Sequence, residues 1–449
     1  MRELLLDVGH KAVKSALKAG ANEAEAYVAS EASAEAMFEE KISSFRISSR
    51  TGLGIRAVVG KRIGMFSTSS LESSDVARAA EMAVKIARAS GEDKWWRSLP
   101  EELSSSHVEG IFDEKTASLE PELITECIST AVGAVLEAGK NVRPTRGLLR
   151  VSRSEIVICN SWGGDVERAE TAVVGWVRAT AEEAGKRATG SEAVSSRAIS
   201  NVDFEALGRE AGRRSLDFLR ARKLPTQKTD VVVRGFEMAS LISTMFGRTL
   251  TAEAVQEKRS PWAGKLGEVV ASEAFTLVDD GTLREGFRAR PFDDEGIGTQ
   301  RTPLIERGVL KAFLYDDYRA KREGARSTGN AWRIRPGSRP RPAPNCLILQ
   351  PGDWRFEELL ADTRRGIYVV ETIGEWLSDP MRGFLNATIT HGYLIENGEL
   401  GQPVSGVVMS CDFFTAMRER MDAFCRQLEN CMGYYAPATR IRGVSISGE

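Results

Sequence analysis

The chain has 449 residues, 42% of them hydrophobic and 28% charged, with 61 Lys and Arg against 63 Asp and Glu for a formal net charge of −2. That length holds two or more domains with sizeable cores. The near-neutral balance excludes a general electrostatic attraction for nucleic acid or a membrane surface. No apolar run approaches the length of a bilayer span. The six cysteines (Cys127, Cys159, Cys346, Cys411, Cys425 and Cys431) show no CxxC spacing, the pattern of reduced core thiols in the cytoplasm.

In chain order, Leu4–Lys18 has helical periodicity, with Leu5, Val8, Ala12 and Ala16 on one side and Gly20 as its stop. Its apolar run is broken by Asp7 and lysines, so it reads as an amphipathic helix and not a signal peptide. A β-meander follows, with strands predicted at 25–29, 35–38, 45–48, 54–59 and 63–67, and a hairpin turn at Gly60-Lys61. Ser73 or Ser74 can cap a helix over 76–89. A polar connection over 93–116 leads to a helix at 120–138, strands at 148–160 and 171–182, and a third helix at 204–221. Helix-then-hairpins thus occurs twice before residue 200. The boundary predicted around Leu224–Lys228 divides the chain into domains 1–224 and 225–449.

Beyond it the sequence predicts a strand at 229–233, a helix at 237–248, and many short strands. These include 268–270, 275–278, 302–305, 309–314, 346–349, 366–371, 384–389 and 393–396, with Asn397-Gly398 as a turn. A late helix over 412–429 and a strand over 439–447 complete the chain. The class is α+β: helices on an antiparallel sheet first, then a mainly β domain.

Residues 260–333 carry a series of ordered phrases: GKLGE at Gly264–Glu268, VASE at Val270–Glu273, LVDD at Leu277–Asp280 and PFDDEG at Pro291–Gly296. TQRT at Thr299–Thr302, LIERGVLKAFLYD at Leu304–Asp316 and STGNA at Ser327–Ala331 follow. Together they resemble the signature of the TldD/PmbA family. Members of the TldD type are similar to zinc peptidases with a helical HExxxH, whose histidines bind metal and whose glutamate is the base. Counting back from Gly264, that frame falls here on Ser243-Thr244-Met245-Phe246-Gly247-Arg248. Gly247 keeps the glycine of the HEAVGH form, while Ser243, Thr244 and Arg248 replace ligand, base and ligand. A guanidinium stays protonated and repels a cation, so no zinc and no other cofactor is expected. Cys431 lies in the region where TldD-type enzymes take a third ligand, and would stand alone.

The departure points to the TldE/PmbA-like branch. The resemblance then implies a non-catalytic subunit pairing with a TldD-like HExxxH zinc peptidase, acting on small or unfolded peptides and in peptide maturation. The expected chamber wall comprises Gly264, Lys265, Gly267 and Glu268 together with Asp293, Asp294, Glu295 and Gly296. Turn chemistry is the alternative for Asp293–Gly296, since Asp side chains accept from following backbone N–H groups. Arg248 could hold a peptide carboxylate or pair with Asp293 or Asp294. Two other functions stand beside this one: a homodimeric peptide-binding or scaffold protein, and a metal-free hydrolase using Ser243 or Thr244 with a lysine such as Lys258 or Lys265. Neither nucleic acid nor membrane is an expected partner.

Overall fold

The computed structural model describes residues 2–448. Two units of the same plan build the N-terminal layer. The first runs α1 (Arg2–Lys18), β1 (Glu23–Phe38), β2 (Ile42–Val59), β3 (Arg62–Thr68) and α2 (Ser73–Ala89). After a short α3 (Glu114–Ala117), the second runs α4 (Pro121–Glu137), β4 (Val142–Asn160), β5 (Asp165–Glu183), β6 (Lys186–Ser196) and α5 (Phe204–Asp217). They join through antiparallel β1 and β4, with Val28 opposite Val157, into one six-stranded sheet of order β3-β2-β1-β4-β5-β6. Each unit has its own core. Leu5, Val8, Ala12, Ala80 and Ile55 form one, and Ile124, Val135, Leu207, Val151 and Val177 the other. The repeat of helix and hairpins is therefore a repeat of architecture.

The strands outrun their predicted limits. Residues 30–34 and 49–53 are rich in Ser, Ala, Thr and Gly, yet β1 and β2 continue through them because the ladder pairs every residue there. The cap of α2 is Glu72, with no side-chain hydrogen bond, in place of the expected serine. The third helix ends at Asp217 and continues as a 3-10 turn over Phe218–Arg220.

In the C-terminal half, β7 (Gln227–Val233) leads into α6 (Gly235–Phe246). Strands Arg365–Ile373, Phe384–Glu396, Val407–Asp412 and Tyr434–Ser447 close into a ring through β7. β7 lies parallel to Arg365–Ile373 and antiparallel to Tyr434–Ser447. Met238, Leu241, Ile242, Met245 and Phe246 of α6 are fully buried against Val231, Val233, Ile367, Val369 and Ala387. Burying that apolar stripe fixes which side of α6 faces outward. β8 (Leu277–Asp280) and its neighbours extend the same sheet.

Two predictions fail here. Instead of a helix to residue 429, the helix stops at Glu419 and Met421–Cys431 is a strand paired with Tyr434–Ser447. The tertiary ladder overrides local helical preference. The strand expected at 268–270 reduces to one bridge, Val269 to Val309. No helix among the described residues is long and apolar enough to cross a membrane.

Candidate functional site

The acidic phrase lies inside the molecule. Asp293, Asp294 and Glu295 are at most 2% exposed, in the seam between the N-terminal sheet and the C-terminal domain. Glu25 of β1, Arg56 of β2 and Arg168 of β5 reach into it. Arg56 Nη1 donates to Glu295 Oε1 at 2.9 Å and Arg56 Nη2 to Glu25 Oε2 at 2.5 Å. Arg333 closes the other side of Glu25. Asp294 Oδ1 accepts from both Arg168 Nη2 and Arg290 Nη1 at 2.9 Å. Against the burial that would raise it, Arg290 and Arg168 hold the Asp294 carboxyl below its ordinary range. Asp293 has no guanidinium of its own. It accepts the backbone N–H groups of Glu295, Ile297 and Ala331, and burial, with the Glu295 charge beside it, pushes it up to about 7. These groups spend their bonding capacity on joining two layers. Asp293, Asp294 and Glu295 thus form no open chamber wall, because their oxygens are turned inward on buried donors.

The degenerate frame is elsewhere, on the outward side of the last turn of α6 and in the turn that follows it. Ser243, Thr244 and Gly247 are half-buried and Arg248 is exposed. Among the described residues no hydrogen-bonded base attends either hydroxyl, and Lys265 instead lies over the Trp262 ring at 5.7 Å. Arg248 forms no ion pair among the described residues, so it is not the partner of Asp293 or Asp294. A Cβ on Gly247 would stand 3.3 Å from Tyr434 Oη, which also accepts from Arg288 Nη1 at 3.2 Å. The histidines are committed to other places: His10 to Asp165, His107 to Glu109 and His391 to Glu371. Among the described residues no group of three His, Cys, Asp or Glu could hold a metal ion. A hydroxyl pair and a guanidinium do not fit zinc. Cys431 is half-buried, and burial, with Glu237 and Glu375 near, pushes its thiol up to about 12.

Gly264–Glu268 is an exposed loop beside this frame. Gly264 and Gly267 have φ of +79° and +84°, conformations that favour glycine. Trp262 anchors the loop by stacking on Phe246, the last residue of α6, with centroids 5.9 Å apart. Trp262 also meets Phe414 at 4.6 Å, and Phe414 covers Gly383. Gly383 belongs to the connection over 374–383, whose Trp376 and Leu377 are 66% and 68% exposed. Ile373, Met381, Phe384, Leu266 and Val269 are exposed large hydrophobics on these same segments. Monomers seldom leave so many large apolar side chains in neighbouring loops uncovered.

A cleft of about 1210 Å³ runs between α5 and β6 on one side and the outer face of strands Arg365–Ile373 and Phe384–Glu396 on the other. Tyr368, Tyr393 and Leu219 supply apolar wall, and Arg213, Arg214 and Arg234 are each ion-paired within it. A smaller recess of about 210 Å³ shares Glu192, Ala193, Arg214, Arg234 and Val370 with that cleft. Glu237, in the first turn of α6, lines the recess, and burial pushes its carboxyl up to about 7. Sequence reasoning missed β6 and Glu237. The strand is built of small polar residues, and nothing local marks Glu237 as buried.

Three segments match models of one family. Residues 24–87 match PmbA/TldA metallopeptidase domain 1, residues 114–219 its central domain and residues 226–448 its C-terminal domain. The chain is 26% identical over 392 residues to a metalloprotease of Methanocaldococcus jannaschii, covering 85% of each. It is 27% identical over 376 residues to metalloprotease PmbA of Escherichia coli O157:H7, covering 82% of this chain and 80% of that one. The crystal structure of TldE from Thermococcus kodakarensis superposes with a TM-score of 0.90 at 25% identity, over 98% of this chain and 99% of that chain.

Proposed function

Because the chain belongs to the PmbA/TldD metallopeptidase family, we propose that it is the TldE/PmbA-type, non-catalytic subunit of a TldD–TldE-type peptidase complex. The observation that carries the reading is the outward side of α6, where Ser243, Thr244 and Arg248 occupy the frame of the HExxxH motif. Without imidazole ligands this helix cannot acidify a bound water, so the zinc and the base belong to a TldD-like partner. The exposed apolar side chains around the frame support a face that another subunit covers. The complex works in the cytoplasm on small or unfolded peptides, including peptides under maturation.

In this reading Gly264–Glu268 contributes chamber wall, being exposed and next to the frame. Asp293–Gly296 serves it indirectly, by fixing the N-terminal sheet against the C-terminal domain. The same uncovered face suits a second reading, a homodimeric peptide-binding or scaffold protein. Zinc content separates the two. The chain purified alone and exposed to one equivalent of Zn²⁺ should retain none after dialysis. The complex recovered with an HExxxH subunit from the same host should retain about one ion per pair. Stoichiometric zinc on the isolated chain would defeat the proposal, and recovery of the chain only as a zinc-free homodimer would favour the second reading.

A further inference from the structure

We propose that the recess at the start of α6 binds a primary ammonium group, the amino terminus of a peptide lying in the adjoining cleft. The placement of that peptide rests on the reading above. The ammonium site rests on the recess itself.

No cation on the walls is ion-paired to Glu237 among the described residues. Glu237 is 5% exposed, and Thr372, whose hydroxyl donates to Glu237 Oε1, is its only hydrogen-bond partner among the described residues. Glu375 lies close enough for its charge to act on Glu237, and its Oε2 atom is buried with no hydrogen-bond partner among the described residues. Cys431, on the same side, is a neutral thiol. The cations nearby are already taken. Arg234 Nη2 is 2.8 Å from Glu192 and 2.7 Å from Glu429, while Arg214 Nη2 is 2.6 Å from Glu192. Glu371, at the far wall, is paired to His391 Nδ1 at 3.0 Å. Arg178 also lines the recess, but it is exposed and keeps its hydration.

Glu237 thus lines the recess buried, with one hydroxyl donor and no ion pair of its own, an arrangement that disfavours its charged form until a cation arrives. An ammonium fits better than a guanidinium or a metal. It is compact enough for a recess of about 210 Å³, and its three donors can meet Glu237 and neighbouring oxygens. Trp176 adds an aromatic face to the wall. The recess shares Glu192, Ala193, Arg214, Arg234 and Val370 with the larger cleft, so a chain with its first residue here extends along α5 and β6. Entry of the cation stabilises the ionised form of Glu237, so binding near pH 7 must release part of a proton.

Calorimetry on the full chain tests this with tetra-alanine, N-acetyl-tetra-alanine and N-acetyl-lysine amide, each in two buffers of different ionisation heat at pH 7. Tetra-alanine should bind about tenfold or more tightly than its acetylated form and release a fraction of a proton. Both effects should vanish in Glu237→Gln and weaken in Trp176→Leu. Binding of N-acetyl-lysine amide with the same proton release supports the ammonium site with a lysine side chain as its source. Equal binding of free and acetylated tetra-alanine overturns the ammonium site while leaving peptide in the cleft. If neither peptide binds but butylamine still shifts the Glu237 carboxyl resonance, the site stands and the cleft reading falls. No binding of any of these ligands overturns both.

Discussion

At the residue scale, carboxyls of similar sequence context have different fates because of what faces them. Asp294 and Glu25 are buried against guanidinium groups that hold them ionised. Asp293 and Glu237 lack such partners and are pushed up to about 7. A carboxyl raised on folding binds protons more tightly in the native state. Its contribution to stability is present at low pH and is lost as pH rises from its unfolded value near 4.5 through about 7. Glu237→Gln should therefore flatten the stability profile over that interval, removing a difference of about 3 kcal/mol. Denaturant melts of both proteins at several pH values check this. A slope in the variant equal to that of the wild type would rule out a buried Glu237 without a cationic partner. Only part of this was legible in the sequence. The replacement of His and Glu by Ser243, Thr244 and Arg248 was visible, since it depends on residue identity alone. Whether the Asp293–Glu295 run faced substrate or the interior depended on Arg56 and Arg168, more than one hundred residues away in the chain.

At the element scale, the long strands of the first sheet dock on the C-terminal domain through close backbone approach. A Cβ on Gly54 of β2 would lie 1.9 Å from the carbonyl oxygen of Pro336. Pro336 belongs to the stretch over 333–344, which is rich in proline and arginine. Gly54→Ala must then push two backbones apart and should cost about 1–3 kcal/mol or more. Gly133, inside α4, has nothing within 4 Å of its would-be Cβ. Gly133→Ala should raise stability by about 0.5–1 kcal/mol through helix propensity. Opposite signs for the two in thermal melts would confirm the tight docking, whereas a neutral Gly54→Ala would contradict it. The long apolar-patterned helices were readable from periodicity. β6 was not, because its Ala, Thr, Gly and Ser carry no alternation and its place comes from pairing with β5. The strand Met421–Cys431 was misread as helix for the converse reason: its pattern allowed both, and the partner strand decided.

At the scale of the whole molecule, two helix–sheet units form a platform and a helix-filled β ring sits on it, joined by a buried ionic seam. The seam orients the cleft between α5, β6 and the ring, and the outward side of α6 leaves the motif frame beside a broad apolar surface. A metal-free helix in that position suits a subunit that shapes a site completed by another chain. The most direct measurement is peptide hydrolysis by the purified chain, by an HExxxH subunit from the same host, and by the two combined. The account predicts no turnover by this chain alone and chelator-sensitive turnover by the pair, unchanged when Ser243→Ala is introduced here. Chelator-insensitive hydrolysis by the chain alone, abolished in Ser243→Ala, would contradict it.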